Sequence, residues 1–363
     1  MKSRNAVLSN IYSVLVPVII ALSVGGIVIA AIGENPFLTY QVMIQKSLFS
    51  TRGILKTLHF AAPLILTGLA IAITFKANIF NMGVEGAAVL GAFFAGVAGF
   101  SIKGVNPVLH VTLCLLTGIL AGMIFTLIPA ILKAYFKVNE MVVTLMLNYV
   151  VAEIVKFLAQ GVFKDPTSGY VATYAIAESA MFKKILGSDL TLFFLIAIFV
   201  FGILYIVFKK SKLGFEITAI GKNPEFSEAA GMNVAKKIIS IMLISGAVSG
   251  LAGAGFLMSE KYRFTLDFSG SPGLGWDGML IALLGGNSPV GVLIAAILYA
   301  ALKTGSEYIG LFTNVPKDIV GVIQGILILC LSVRFVNQRS NVAGRLAGLI
   351  GKLKKQKSGR NEC

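Results

Sequence analysis

Apolar stretches recur along the whole chain, at about 11–32, 57–75, 79–102, 107–132, 138–160, 189–208, 237–258, 276–286, 288–302 and 317–335. They are continuous rather than alternating, and most reach the roughly 20 residues that a helix needs to cross a hydrocarbon core. A run without a polar face has nothing to turn toward water. It folds in lipid, as helices whose backbone groups are satisfied within the segment. Composition agrees: of 363 residues 56% are hydrophobic and 13% charged, about half the charge that a soluble surface carries. The chain is therefore read as all-α and polytopic, with about ten transmembrane segments that include short and broken helices. Soluble enzymes, DNA-binding domains and secreted disulfide scaffolds are excluded. An outer-membrane barrel, whose strands alternate, is excluded too.

The formal charge of +15 calls for no nucleic acid, because basic residues gather in cytoplasmic loops. With the N-terminus inside and ten crossings, the inside holds 19 basic residues and the outside 11, with Lys156 within a span. The loop 209–237 contributes six of the 19, and the stretch from Arg334 onward eight. Both termini are expected in the cytoplasm, the protein in the plasma membrane. The runs 276–286 and 288–302 are broken by Gly285-Gly286-Asn287-Ser288-Pro289 and are each short for a crossing. They form a tilted pair or one interrupted span, and a single crossing would put the basic tail outside, which argues for two. The first run follows Lys2 and Arg4 as in a signal peptide, but its 22 residues exceed the usual apolar region of about 7–15, so it reads as a retained helix. Residues 1–336 are then the transmembrane domain and 337–363 a basic cytoplasmic tail. Leu346, Leu349, Ile350 and Leu353 recur there at helical spacing, as on an anionic lipid surface.

Motifs of catalysis are missing. No G-x-x-x-x-G-K-[ST] cradles a phosphate, and no G-x-S-x-G or H-E-x-x-H occurs. Cys114 and Cys330 lie in apolar runs, Cys363 in the tail, and His59 and His110 are far apart. Neither a disulfide framework nor a metal site is expected, and no cofactor bound by this chain.

Three constellations stand out. Gly83-Val84-Glu85-Gly86 opens one apolar run, and 192 residues later Gly275-Trp276-Asp277-Gly278 opens another. Each sets a carboxylate between glycines at a helix start, which suits the positive end of the helix dipole. Paired interrupted segments in two halves point to a translocation site between internally related halves; close packing of an interfacial acid is the plainer alternative. The second constellation runs from Asn139-Glu140 to Asn148-Tyr149, with Glu140, Thr144, Asn148 and Glu153 at near-helical spacing. An amide such as Asn148 needs a partner in hydrocarbon, either another helix or a wet cavity. Glu153 and Lys156 are expected to neutralise each other. In the third, Asn223 and Pro224 read as N-cap and first residue of a two-turn helix that Gly231 stops. Lying between two spans, it is either a docking element or an ordinary interfacial helix.

Gly221-x-Asn223-Pro224 with Ala230-Gly231 and Asn233 resembles the ATPase-coupling loop of ABC-type importer permeases, in the branch for ribose-like sugars, nucleosides and branched-chain amino acids. Phe80-Asn81-Met82-Gly83-Val84-Glu85-Gly86, the Asn139–Tyr149 stretch, and Gly275-Trp276-Asp277-Gly278 with Leu283 to Gly291 narrow the likeness. Together, from about residue 60 to 335, they look like the nucleoside and simple-sugar permeases that work with a basic-membrane-protein-type lipoprotein receptor. One departure is Ala87, where that pattern usually has glutamine; a changed ligand preference would follow if that side chain grips substrate.

The resemblance implies a permease subunit, not itself an enzyme, in an ATP-driven importer of nucleosides or related simple sugars. It implies a cytoplasmic ABC ATPase that uses ATP and Mg, a second related permease chain forming a heterodimer, and an external binding lipoprotein. Phe80, Asn81, Glu85, Asn148, Trp276 and Asp277 become candidates for the substrate path, and Gly221, Asn223, Pro224, Glu228, Ala230 and Gly231 for the coupling loop. An ion-coupled secondary transporter, with Glu85 and Asp277 on the ion, would explain the repeat but not that loop. A structural membrane protein would explain neither.

Overall fold

The computed structural model describes residues 19–185, 187–265, 272–313, 315, 316, 319, 321–323, 325 and 326. In chain order the helices are α1 (Ile19–Ala31), α2 (Pro36–Leu48), α3 (Thr51–Lys76), α4 (Val84–Ser101), α5 (Pro107–Phe136) and α6 (Glu140–Gln160). They continue with α7 (Phe193–Lys210), α8 (Lys212–Lys222), α9 (Pro224–Ala229), α10 (Val234–Phe256), α11 (Leu274–Leu284) and α12 (Pro289–Phe312). A π turn, Leu257–Lys261, prolongs α10. Among the described residues, β pairing is confined to isolated bridges at Lys164–Thr173, Ala172–Thr265 and Lys184–Thr191.

The chain is a polytopic helical membrane protein. Seven helices among the described residues (α3 to α7, α10 with its π turn, and α12) are long and apolar enough to cross a membrane. Two shorter apolar helices, α1 and α11, fall on further expected segments. The run at 317–335 and the tail 337–363 lie largely or wholly outside the described residues, as does the start of the first run. Within the apolar run 79–102 the helix begins at Val84, at the helix start read in Gly83-Val84-Glu85-Gly86, and residues 77–83 form no helix.

Residues 38–314 form one compact unit, and residues 1–37 with 315–363 another. Everything below concerns the first unit. Its centre is α3, where every side chain from His59 to Phe75 is buried. A helix apolar on all sides belongs inside a bundle. α3 lies against α7, α10, α11 and α12, while α10 also packs on α4 and α5. Outer helices keep apolar side chains exposed, such as Ile124 on α5, Phe157 on α6 and Phe199 on α7.

Two small-residue pairs bring α5 and α10 into backbone contact. A Cβ on Gly122 would run into the carbonyl of Gly246, and one on Gly250 into that of Gly118. Both pairs have the spacing Gly-x-x-x-Gly, which in lipid lets dispersion and weak polar contacts replace the missing hydrophobic drive.

The loop 161–192 is sewn onto one end of this unit. Thr173 N–H donates to Phe264 O at 2.9 Å, Ile176 N–H to Tyr262 O at 2.9 Å and Ala177 N–H to Gly99 O at 2.9 Å. Asp165 sits 3.9 Å from Arg263 and accepts from the hydroxyl and amide of Thr167 at 2.6 and 2.9 Å. Those Thr167 bonds, more than the arginine, hold its carboxyl below the usual range.

Candidate functional site

Beyond Lys76 the chain turns at Asn78, whose φ of 61° is left-handed, and runs back along the bundle without forming helix. Asn81 marks how far it returns. Its Nδ2 donates to Ser245 Oγ at 3.1 Å, and that hydroxyl donates to Ala70 O at 2.8 Å. Ala70 precedes the end of α3 by six residues, or about 9 Å at 1.5 Å per residue. Asn81 Oδ1 accepts from Gly83 N–H at 2.9 Å, and α4 begins there. Exposed backbone at that depth would lack partners, and such segments persist only where protein supplies them.

The partners come from one face of α6. Glu140 Oε1 accepts from Phe80 N–H at 3.1 Å, and Thr144 Oγ1 from Met82 N–H at 3.1 Å. Asn148 bonds twice: Nδ2 donates to Met82 O at 2.8 Å, and Oδ1 accepts from Gly86 N–H at 3.0 Å. Residues 140, 144 and 148 repeat every four, so they share a face. Glu140 is also paired with Lys133 of α5 at 2.7 Å. The partner of Asn148 is thus the backbone of an unwound segment, an option that spacing alone does not offer.

α11 starts beside the middle of α3, where a Cβ on Gly278 would lie 2.8 Å from Thr67 Cβ. Here the two glycine-flanked motifs meet. Glu85, only 4% exposed, accepts from Gly273 N–H at 2.8 Å with Oε1 and from Gly275 N–H with Oε2. A Cβ on Gly275 would stand 2.5 Å from Glu85 N. The acid of α4 therefore caps α11. Asp277 does not reciprocate: it accepts from the Tyr299 hydroxyl, with Lys303 Nζ 3.8 Å away.

Asn81 and Glu85 are thus enclosed by protein hydrogen bonds. Trp276 is 41% exposed between buried neighbours Leu274, Gly275 and Gly278, and Phe80 is half-buried with its ring against Phe75. Ala87 is fully buried, so its position faces the interior of the unit. Tyr299 and Lys303, one turn apart on α12, were not singled out from sequence; the signal available was that i, i+4 polar pair in an apolar helix.

At the far end of α3 the loop 209–237 holds the expected short capped helix, together with α8 and the first turn of α10, which were not expected there. Asn223 Oδ1 accepts from Phe226 N–H at 2.9 Å, α9 follows from Pro224, and Gly231 takes a left-handed φ of 84°. Phe226, 70% exposed, stands out from α9 with Glu225 and Glu228 beside it. Glu216, buried on α8, is paired with Lys237 of α10 at 2.7 Å. The expected Glu153–Lys156 pair is present, exposed, at 3.4 Å. His59 pairs with Glu260 at 3.1 Å, His110 with Ser179 at 2.8 Å, and no metal-ligating cluster occurs among the described residues.

The family model described as "Branched-chain amino acid transport system / permease component" matches residues 53–332. The chain belongs to this family. Its relatives include the nucleoside ABC transporter permease protein NupB of Lactococcus lactis, 33% identical over 89% of this chain and 90% of that one. The guanosine ABC transporter permease protein NupP of Bacillus subtilis is 33% identical over 96% of this chain and 98% of its own length. A glucose ABC transporter permease protein of Haloferax volcanii is 32% identical over 86% and 85%. No solved structure matches the permease. As a permease it is a multi-pass transport subunit of the plasma membrane, and the secondary-transporter alternative is not favoured.

Proposed function

We propose that this permease forms the path for nucleosides in an ATP-driven importer. What carries the reading is the end-to-end match, 33% identical, to two relatives named for nucleoside and guanosine transport. Simple sugars are second, supported by the glucose relative at 32%. The path runs past the starts of α4 and α11, with Phe80 before the one and Trp276 and Asp277 in the first turn of the other as its candidate lining. Asn81, Glu85 and Asn148 build the walls. Ten segments cross the membrane, and the starts of α4 and α11 mark two related halves. Both termini and the loop 209–237 face the cytoplasm, in accord with their basic charge.

Through the coupling loop that holds Gly221, Asn223, Pro224, Glu228, Ala230 and Gly231, with α9 as its docking element, the permease engages a separate ABC ATPase, which binds ATP and Mg. A second, related permease chain completes the path, and an external lipoprotein delivers the cargo. The capped, outward-standing α9 supports this docking role. The test is uptake of labelled guanosine and glucose into proteoliposomes holding the complete importer, with and without ATP on the ATPase side. ATP-dependent guanosine uptake that glucose does not inhibit is expected. Uptake driven by an ion gradient without ATP would refute the reading.

A further inference from the structure

A helix start attracts anions, because its first N–H groups lack intrahelical partners and carry the positive end of the dipole. At the start of α11 the anion is built into the chain: the Glu85 carboxylate takes the N–H groups of Gly273 and Gly275 with separate oxygens. The contact is close on the backbone side as well, since Gly275 leaves no room for a Cβ against Glu85. One residue beyond lies Trp276, then Asp277. On the other side, α4 is itself held where Asn148 and Thr144 of α6 bind its first turn and the segment before it.

We infer that Glu85 is a positioning residue for transport: it joins the starts of α4 and α11 and thereby sets Trp276 and Asp277 against the path without touching cargo. The inference rests on the path described above. Two features support indirect action over cargo contact. Glu85 is almost wholly enclosed, and both carboxylate oxygens are engaged by backbone donors. Charge-assisted bonds of this kind are among the strongest available to a side chain, and they gain in a low-dielectric interior.

Trp276 is the chain's only tryptophan, so α11 carries its own reporter. 5-Fluorotryptophan is incorporated into the assembled importer, and the Trp276 resonance is identified by subtracting the Trp276→Phe spectrum. Glu85→Ala removes the joint from one side, and Gly275→Ala wedges it from the other while leaving the carboxylate in place. Both are expected to shift or broaden the resonance. Glu85→Gln keeps one acceptor and should fall between them and wild type. Maximal guanosine uptake should drop on the order of a hundredfold in Glu85→Ala, which keeps no acceptor, and about tenfold in Glu85→Gln, whose neutral amide keeps one. The half-saturating concentration of loaded receptor should stay within about twofold, because receptor docking is not touched.

An unmoved resonance in both Glu85→Ala and Gly275→Ala would overturn the inference, whatever happens to uptake. So would normal uptake in variants whose resonance has moved. If wild type carries no nucleoside and yet the resonance responds to both variants, the nucleoside reading fails while the joint stands.

Discussion

The backbone of Gly221, in the last turn of α8, lies directly against the carbonyl oxygen of Lys76, the last residue of α3. Lys76 is held from a second side, its ammonium 5.0 Å above the Phe208 ring of α7. Nine residues further on stands Glu85. The helix that carries α9 therefore lies against the chain where α3 gives way to the unwound segment, which leads into α4 and its α11-capping Glu85. A push on α8 reaches the proposed path through one short stretch of backbone.

Replacing Gly221 by alanine tests that contact. A Cβ there meets the backbone of Lys76 and Ala77 rather than a yielding side-chain tip, so α8 must move away. The capped α9 is left intact. The ATPase should still co-purify, while cargo-stimulated hydrolysis and uptake fall about tenfold, the effect of roughly 1.4 kcal/mol of lost coupling. Gly202→Ala is the control, because its Cβ would meet nothing within 4 Å. Equal stimulation in wild type and Gly221→Ala would show that this contact transmits nothing.

Asn148→Ala should destabilise rather than unload the ATPase. It strands Met82 O and Gly86 N–H, both bound to that amide, at a cost of about 1–3 kcal/mol. Thermal unfolding in detergent, followed on the permease alone, should show a lower midpoint than for a change at exposed Tyr149. An unchanged midpoint would mean that water replaces the amide and that the segment is wetter than its burial indicates.

What sequence reveals here is what repeats or caps. Continuous apolar runs announce spans, and Asn223-Pro224 with Gly231 announces α9, because these signals are local. The motifs around Glu85 and Asp277 were visible as a pair at helix starts. That Glu85 caps α11 rather than serving its own helix depends on where two distant segments meet, which local spacing does not encode. The course of the unwound stretch 77–83 was hidden for a related reason, although the helix start after it was legible. Its backbone bonds come from Glu140, Thr144 and Asn148, some sixty residues away. Their face on α6 was legible, but what it held was not. The Gly118–Gly122 and Gly246–Gly250 pairs carried a recognisable spacing, although only the structure shows that they face each other.

The last prediction separates docking from transmission. Gly231 ends α9 with a left-handed φ and has open space around its Cβ position, so a substitution there is strained by backbone conformation and not by crowding. A β-branched residue resists that conformation most, at about 1–2 kcal/mol or more. Gly231→Val should redirect the chain between α9 and α10 and misplace the exposed Phe226. Glu228→Lys reverses an exposed charge without disturbing the fold, so any loss should grow as salt is lowered and like charges are less screened, or vanish at high salt. In both variants the permease should reach the membrane while the amount of co-purified ATPase falls, unlike Gly221→Ala, where binding persists. The measurement is ATPase recovered per permease at two salt concentrations, with Phe226→Ala as a third probe of the same surface. Full recovery in all three variants would place the ATPase contact elsewhere and remove α9 from the coupling route.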